Sequence, residues 1–526
     1  MSVILGMLKQ LFGSKGAGAS PAPAMARVGA NLPALREAVA CAPGDAGASW
    51  RLVGALTAAE EYELARDEAE RLARMAPGLA EANVNLGHVQ RNLGSLREAL
   101  ESYRRALAID PGHAEARSSL LLALNYSTEH SPAEIFSEHL AFGERCGPAP
   151  AGPAPDPAWP RRLRIGYVSP DFRSHVVTCF MLPALARHDR ERFEVFCYYT
   201  YPDADSVTHF LRLLVEHWSD CGRLSDADLA ARIRADRIDI LVDLAGHMAY
   251  QRLNVFAQRP APVQATYLGY PNTTGLRTVD YRVGDAWVDP PGESDQYYTE
   301  RVARLDRSFL CYRPGPDIHE VVRLPASRAG RVTFGCFNNF QKLSDPFFST
   351  AARVLAAVPG SRLLLKARPL ASRRVADAVR ARFAAAGIGA DRLVLRGWSP
   401  RVEDHLGEYR EVDIALDSFP YNGTTTTCEA MWMGVPVVTL RGDRHAGRVG
   451  ASLLNAAGLP GQVARDADEY VRIAAELTAD LQKLVDLRAG MRDRLRQSPL
   501  MDEQGFTREL ERCYEVMWQE RLRSSA

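Results

Sequence analysis

The sequence lacks a net charge, with 64 Lys and Arg set against 64 Asp and Glu. The broad attraction that draws a protein to nucleic acid or to an anionic bilayer is therefore missing from its composition, and any anion it binds must be met locally. It also lacks a C-x-x-C pair. Its nine cysteines are odd in number and scattered, which argues against structural zinc and dithiol redox work and suits reduced thiols in a cytoplasm. No strand-like run is followed by G-x-G-x-x-G and no P-loop occurs, so dinucleotide oxidation and NTP hydrolysis have no support. The apolar opening MSVILGMLKQLFG is interrupted by Lys9 and has no basic leading segment. It is a poor signal peptide, too short to span a bilayer, and reads as a frayed end or, second, a short amphipathic contact.

What is present begins with size: 526 residues, 46% of them hydrophobic, exceed what one core usually serves, so two or three domains are expected. Residues 1–29, with the small and Pro-containing stretch SKGAGASPAPA, read as a flexible N-terminus. Beyond it Pro43, Pro77 and Pro111 each precede a glycine at intervals of 34, and Leu52, Leu86 and Leu120 keep the same spacing, as do Ala65 and Ala99. That period belongs to paired-helix solenoids, and it places an all-α repeat arm over 30–126. In the clearest unit Gly87, Ala99 and Ala106 are small enough for two helices to close on each other, with Tyr103 filling the gap between units. So few repeats are expected to pack on the domain that follows. Residues 127–160 end in CGPAPAGPAPDPAWP, whose prolines exclude helix and central strand, and read as a linker.

From 161 onward short β-branched runs alternate with helical stretches: LRIGYVS, FEVFCYY, IDILVDLAG and VQATYLGY, then VTFGCFNN, RLLLKA, RLVLRG, VDIALDS and PVVTL. Continuous apolar strands between helices predict parallel sheets covered on both faces. The fold class is therefore α/β, with two doubly wound Rossmann-like domains at 161–328 and 329–526. Ligands of such sheets sit beyond the strand C-termini, and the candidate residues lie there.

In VDIALDSFPYNGTTTTCEAMWMGVPVVTL a strand meets a glycine turn, and Thr424, Thr425, Thr426 and Thr427 open the next helix. One threonine suffices as a cap, whereas four offer hydroxyls and free N–H groups to a phosphate or pyrophosphate. In VTFGCFNNFQKLSD the strand ends at Asn338 and Asn339, and Lys342 is placed to neutralise a diphosphate. His175 follows the first strand of the first domain and suits a general base or a contact to a sugar hydroxyl, with His247 and His405 as further imidazoles near strand ends. Asp-x-Asp triplets at 203/205, 226/228 and 466/468 fall mostly in helix-starting contexts, Asp205 as a cap, so no metal site is expected.

Together LRIGYVSPDFRSH, RPAPVQATYLGYPNTTG, CFNNFQK, VDIALDSFPYNGTTTT and HAGRVGAS resemble the protein O-GlcNAc transferase and SPINDLY family, over residues 50 to 520. The resemblance implies two catalytic lobes of GT-B type behind tetratricopeptide repeats. It implies an inverting transfer without metal or cofactor, from UDP-GlcNAc to Ser or Thr of proteins that the arm presents, in the cytoplasm, with neither nucleic acid nor integral membrane as partner. It casts Lys342 as the lysine that stabilises the leaving diphosphate, Thr425 and Thr426 as the pair holding it, and His175 as base or sugar contact. His405 would stack on the nucleobase, Glu429 sit near the ribose, Gly269 lie where backbone approaches the sugar, and Asn339 contact the phosphates. Three positions depart from the animal enzymes: Val402 stands where they carry a lysine, with Arg401 beside it as the substitute, Glu429 stands in place of an aspartate, and Thr424 replaces a histidine. FPYNGTTTTCE is nearer to SPINDLY, whose plant members use GDP-fucose, so that donor is the alternative. A repeat-based adaptor with an inactive transferase domain is the reading from another class.

Overall fold

The computed structural model describes residues 22–315, 319–399 and 401–525. The apolar opening and most of the expected N-terminal linker thus lie outside the described residues.

A helix over Ala22–Cys41 leads into three antiparallel pairs: Ala46–Ala58 with Tyr62–Met75, Ala80–Asn92 with Leu96–Ile109, and Ala114–Leu124 with Pro132–Arg145. The small residues at the repeat interval pack as expected, with Ala65, Ala69, Ala99, Ala106 and Ala116 fully buried. Tyr103 is fully buried too, and a Cβ at Gly87 would lie 2.6 Å from its ring. The expected linker at 127–160 needs correction, because Pro132–Arg145 is helical and completes the third pair. Ser131 and Glu134 form a capping box there, and Pro132 stands in the first turn, where it forfeits no helical hydrogen bond. Proline density is therefore a boundary signal only after residue 146.

The first lobe holds β1 (Leu163–Ser169), β2 (Phe193–Tyr199), β3 (His217–Asp220), β4 (Ile240–Asp243), β5 (Val263–Thr266), β6 (Tyr281–Asp285) and β7 (Arg301–Leu305). All pair in parallel, in the order β3-β2-β1-β4-β5-β6-β7. The second lobe holds β8 (Thr333–Cys336), β9 (Arg362–Lys366), β10 (Leu393–Arg396), β11 (Ile414–Leu416), β12 (Val437–Leu440) and β13 (Val463–Ala464). These too are parallel, ordered β10-β9-β8-β11-β12-β13. Nine strands coincide with the apolar runs of the sequence. β3 and β7 escaped because they are polar edge strands, β6 because it buries Arg282 and Asp285, and β13 because it is only two residues long.

The closing helix Glu503–Ser525, expected to belong to the second lobe, packs on the first. Tyr514 meets Tyr167 at 3.2 Å between hydroxyls, Glu511 takes His188 Nδ1 and the Asp189 N–H, and Trp518 is fully buried beneath Arg161. In both sheets the winding reverses once, between β1 and β4 and between β8 and β11. The resulting crevices are where doubly wound sheets take ligands.

Candidate functional site

On the second lobe β11 delivers Asp417, which is buried and accepts from Gly423 N–H at 2.6 Å, Thr439 Oγ1 at 2.7 Å and Asn338 Nδ2 at 3.0 Å. Burial holds its carboxyl up at about 6 against those donors. Asn338, from the end of β8, also donates to Ser418 Oγ at 2.8 Å and accepts from Thr426 Oγ1. Two strand ends are thereby pinned together around the threonine turn. A Cβ on Gly423 would fall 2.5 Å from Thr426 Oγ1 and 2.7 Å from Asn338 Oδ1, so glycine is required there. Thr424 occupies the N-cap position of the helix Thr425–Trp432, yet its side chain caps no N–H of the first turn. Thr424, Thr425 and Thr426 are half-buried and Thr427 is buried. The first turn thus keeps its partial positive charge and unused N–H groups for an anion.

Lys342 stands across from this turn. Its Nζ donates to Asn422 O at 2.7 Å and lies 4.1 Å from the centroid of the Tyr421 ring. Burial lowers its ammonium to about 8, opposed by the nearby Asp417. Tyr421 stacks in turn on Tyr126 of the repeat arm, centroids 4.8 Å apart, and Gln341 donates to the Tyr126 hydroxyl at 3.1 Å. Asn339, expected at the phosphates, is exposed; the amide that reaches the turn is that of Asn338.

His405 lies on the helix Val402–Glu408, its Nε2 3.0 Å from Glu429 Oε2 and its Nδ1 3.0 Å from Lys366 Nζ. Arg401 is not drawn into this group. It forks onto Asp404 at 2.8 Å on an exposed face.

From the first lobe, His175 caps the helix Val176–Arg187, its Nδ1 accepting from Val177 N–H at 3.3 Å, 3.5 Å from Asp171 Oδ1. Burial, helped by Arg173, lowers the imidazole to about 4, and burial raises Asp171 to about 6. With Nδ1 accepting, the neutral ring carries its proton on Nε2 and offers a donor. The helix it opens faces the second lobe: Cys179, held up at about 12 chiefly by burial, also feels the charge of Glu429. Gly269 follows β5, and a Cβ there would sit 1.9 Å from Leu244 O, so the loop backbone lies directly on the end of β4. His247 belongs elsewhere, bonded to Thr274 O and Ser118 beneath the arm and lowered to about 3 by burial. Of the Asp-x-Asp triplets, Asp205 and Asp466 cap helices, and Asp228 lies in the first turn of a helix capped by Ser225.

Sequence reasoning marked Asn338 only as a strand end and passed over Asp171, Lys366, Asp417 and Tyr421. The first four follow or end apolar runs, so the strand-end rule reaches them, whereas Tyr421 is marked only by its tertiary stack.

Residues 155–313 and 321–510 match glycosyl transferase family 41, and residues 80–113 match a tetratricopeptide repeat. The chain belongs to glycosyl transferase family 41. Within family 41 it is similar to a probable UDP-N-acetylglucosamine–peptide N-acetylglucosaminyltransferase SPINDLY of Solanum lycopersicum, 42% identical over 78% of this chain and 45% of that protein. It is 32% identical to the corresponding protein SEC of Arabidopsis thaliana, over 68% of this chain and 37% of that one. The chain thus spans less than half the length of these relatives. Its fold matches a lysine-to-methionine mutant of the O-GlcNAc transferase of Thermobaculum terrenum with a TM-score of 0.91 and 38% identity, covering 99% of both chains. The GT-B arrangement with its repeat arm is therefore that of family 41.

Proposed function

We propose that the chain transfers N-acetylglucosamine from UDP-GlcNAc to Ser and Thr hydroxyls of proteins, with inversion and without a metal. The observation that carries this reading is the convergence of Lys342 on the Asn422 carbonyl, at the mouth of a helix that opens on threonines with no side-chain cap. A diphosphate lodged there meets an ammonium and free N–H groups, which supply the charge compensation that a metal gives elsewhere. The acceptor hydroxyl attacks the anomeric carbon and the bond from that carbon to the diphosphate oxygen breaks. Its electron pair leaves with the diphosphate, stabilised by Lys342, Thr425 and Thr426. The hydroxyl proton departs to a base or water. The neutral His175, proton on Nε2, fits a donor to a sugar oxygen in this pose better than a base, which requires the other tautomer. His405 and Glu429 fit the nucleoside, and Gly269 the sugar.

Lys342→Ala is expected to lower turnover about 100- to 1,000-fold, the cost of losing one donor to a developing oxyanion, while the donor dissociation constant stays within about tenfold. Single-turnover rates and calorimetry measure the two, and turnover at the wild-type rate removes the assigned role. The nearness of FPYNGTTTTCE to the SPINDLY side of the resemblance, and Thr424 in the turn, support transfer of fucose from GDP-fucose as the second reading. Labelling a lysate from each sugar nucleotide, with and without chelator, separates the two donors. Label from neither leaves the adaptor reading, and loss of label with chelator ends the metal-free one.

A further inference from the structure

Lys366 closes β9 and its side chain is only 3% exposed. A buried ammonium persists only where its protons find acceptors. Lys366 Nζ has two, Glu408 Oε1 at 2.8 Å and His405 Nδ1 at 3.0 Å, beside the Phe337 ring at 5.6 Å. Glu408 and His405 lie three apart on one short helix, so a single amine anchors a whole face of it. An ammonium donates and never accepts. His405 Nδ1 must therefore present its lone pair, which leaves the ring proton on Nε2, where it is donated to Glu429 Oε2. The relay runs one way, from a strand end through an imidazole to a carboxylate beside the threonine turn. The residues on the helix itself cannot substitute, because Arg401 is committed to Asp404 and Val402 is apolar and exposed.

We propose that Lys366 is the positioning residue of the nucleoside half of the site: by fixing the tautomer and plane of His405 it aims the Glu429 carboxylate, whose second oxygen accepts from the ribose diol of a nucleoside diphosphate. The proposal rests on the reading of His405 and Glu429 given above and assigns a part to a residue that reading leaves unused. It has a consequence that general support of the fold lacks. Lys366 contributes to affinity for nucleotides that carry ribose hydroxyls and nothing for those without them.

Calorimetry on the full chain tests this with whichever of UDP and GDP binds better and its 2′,3′-dideoxy analogue. The wild type is expected to favour the ribonucleotide by about tenfold or more, the scale of a hydrogen bond to a charged acceptor. In Lys366→Met the preference should fall to within about twofold with dideoxy affinity unchanged, Lys366→Arg should restore part of it, and Lys366→Met should add nothing in a Glu429→Gln background. His405→Phe, which keeps a stacking ring and leaves Lys366 on Glu408, should lose the preference as well, and it serves as the test should Lys366→Met not fold. Equal loss for both nucleotides in Lys366→Met, losses that add to those of Glu429→Gln, or a preference retained in His405→Phe would each overturn the proposal. Failure of the wild type to bind either UDP or GDP would instead end the underlying reading of the site.

Discussion

Lys342 and His175 are shifted in the same sense, both away from the charged form. Burial lowers the lysine to about 8 and the imidazole to about 4. As pH rises through about 8 the free enzyme loses the Lys342 charge, so kcat/KM is expected to fall above that point. A bound diphosphate holds the proton on, so the limb in kcat should lie at higher pH. On the acid side His175 stays neutral down to about 4, and no loss near the ordinary histidine range, around 6.5, should trace to it. Rates from pH 5.5 to 9.5 check both limbs, and a kcat/KM flat to 9.5 would contradict the role of Lys342. These values were illegible in the sequence, where Lys342 is one basic residue among 64. That of Lys342 arises from its burial against Tyr421 and the Asn422 turn, that of His175 from burial beside Arg173.

At the scale of elements, the repeat arm reaches the Lys342 side of the site through the Tyr126 ring. Tyr126 follows the helix Ala114–Leu124 and stacks on Tyr421, against which Lys342 rests. An aromatic pair adds about 0.5–1.5 kcal/mol beyond its buried area. Tyr126→Ala is thus expected to reduce kcat several-fold with donor affinity little changed, and Tyr126→Phe to keep both. Steady-state rates beside calorimetry separate this from a folding defect. Within the arm, Gly87→Val drives carbon into the fully buried Tyr103 ring, already 2.6 Å from a Cβ at that position. Such overpacking costs about 1–3 kcal/mol, to be read as a lower thermal unfolding midpoint. The 34-residue period announced Gly87 and Tyr103 but not Tyr126, the last residue of the expected arm, which has no counterpart in the repeat spacing and whose partner is nearly 300 residues away.

For the whole molecule the arm is a wall of the site as well as an extension from it. Asn125 donates to the Tyr270 hydroxyl at 3.0 Å and His139 Nε2 lies 2.8 Å from it, next to Gly269, while Arg444 of the second lobe reaches the Ser127 and His130 carbonyls. Removing residues 22–75 is expected to leave turnover of a short peptide within a few-fold while weakening transfer to whole proteins. Removing 22–126 should abolish both, because it strips Asn125 from Tyr270 and Tyr126 from Tyr421. Peptide turnover retained in the longer deletion would show that the two lobes need no arm.

The sequence alone determined the paired-helix period, the two parallel sheets and the strand-end placement of Lys342, the threonine turn and His175, because burial on both sides of a strand and the spacing of small residues are written locally. The tertiary structure alone decided which residues surround them. Asn338 and not Asn339 reaches the turn, Lys366 holds His405 while Arg401 turns onto Asp404, and the last helix returns to the first lobe. Each of those choices depends on which distant acceptor satisfies a buried donor or which distant ring covers an apolar face, and chain spacing carries no record of that.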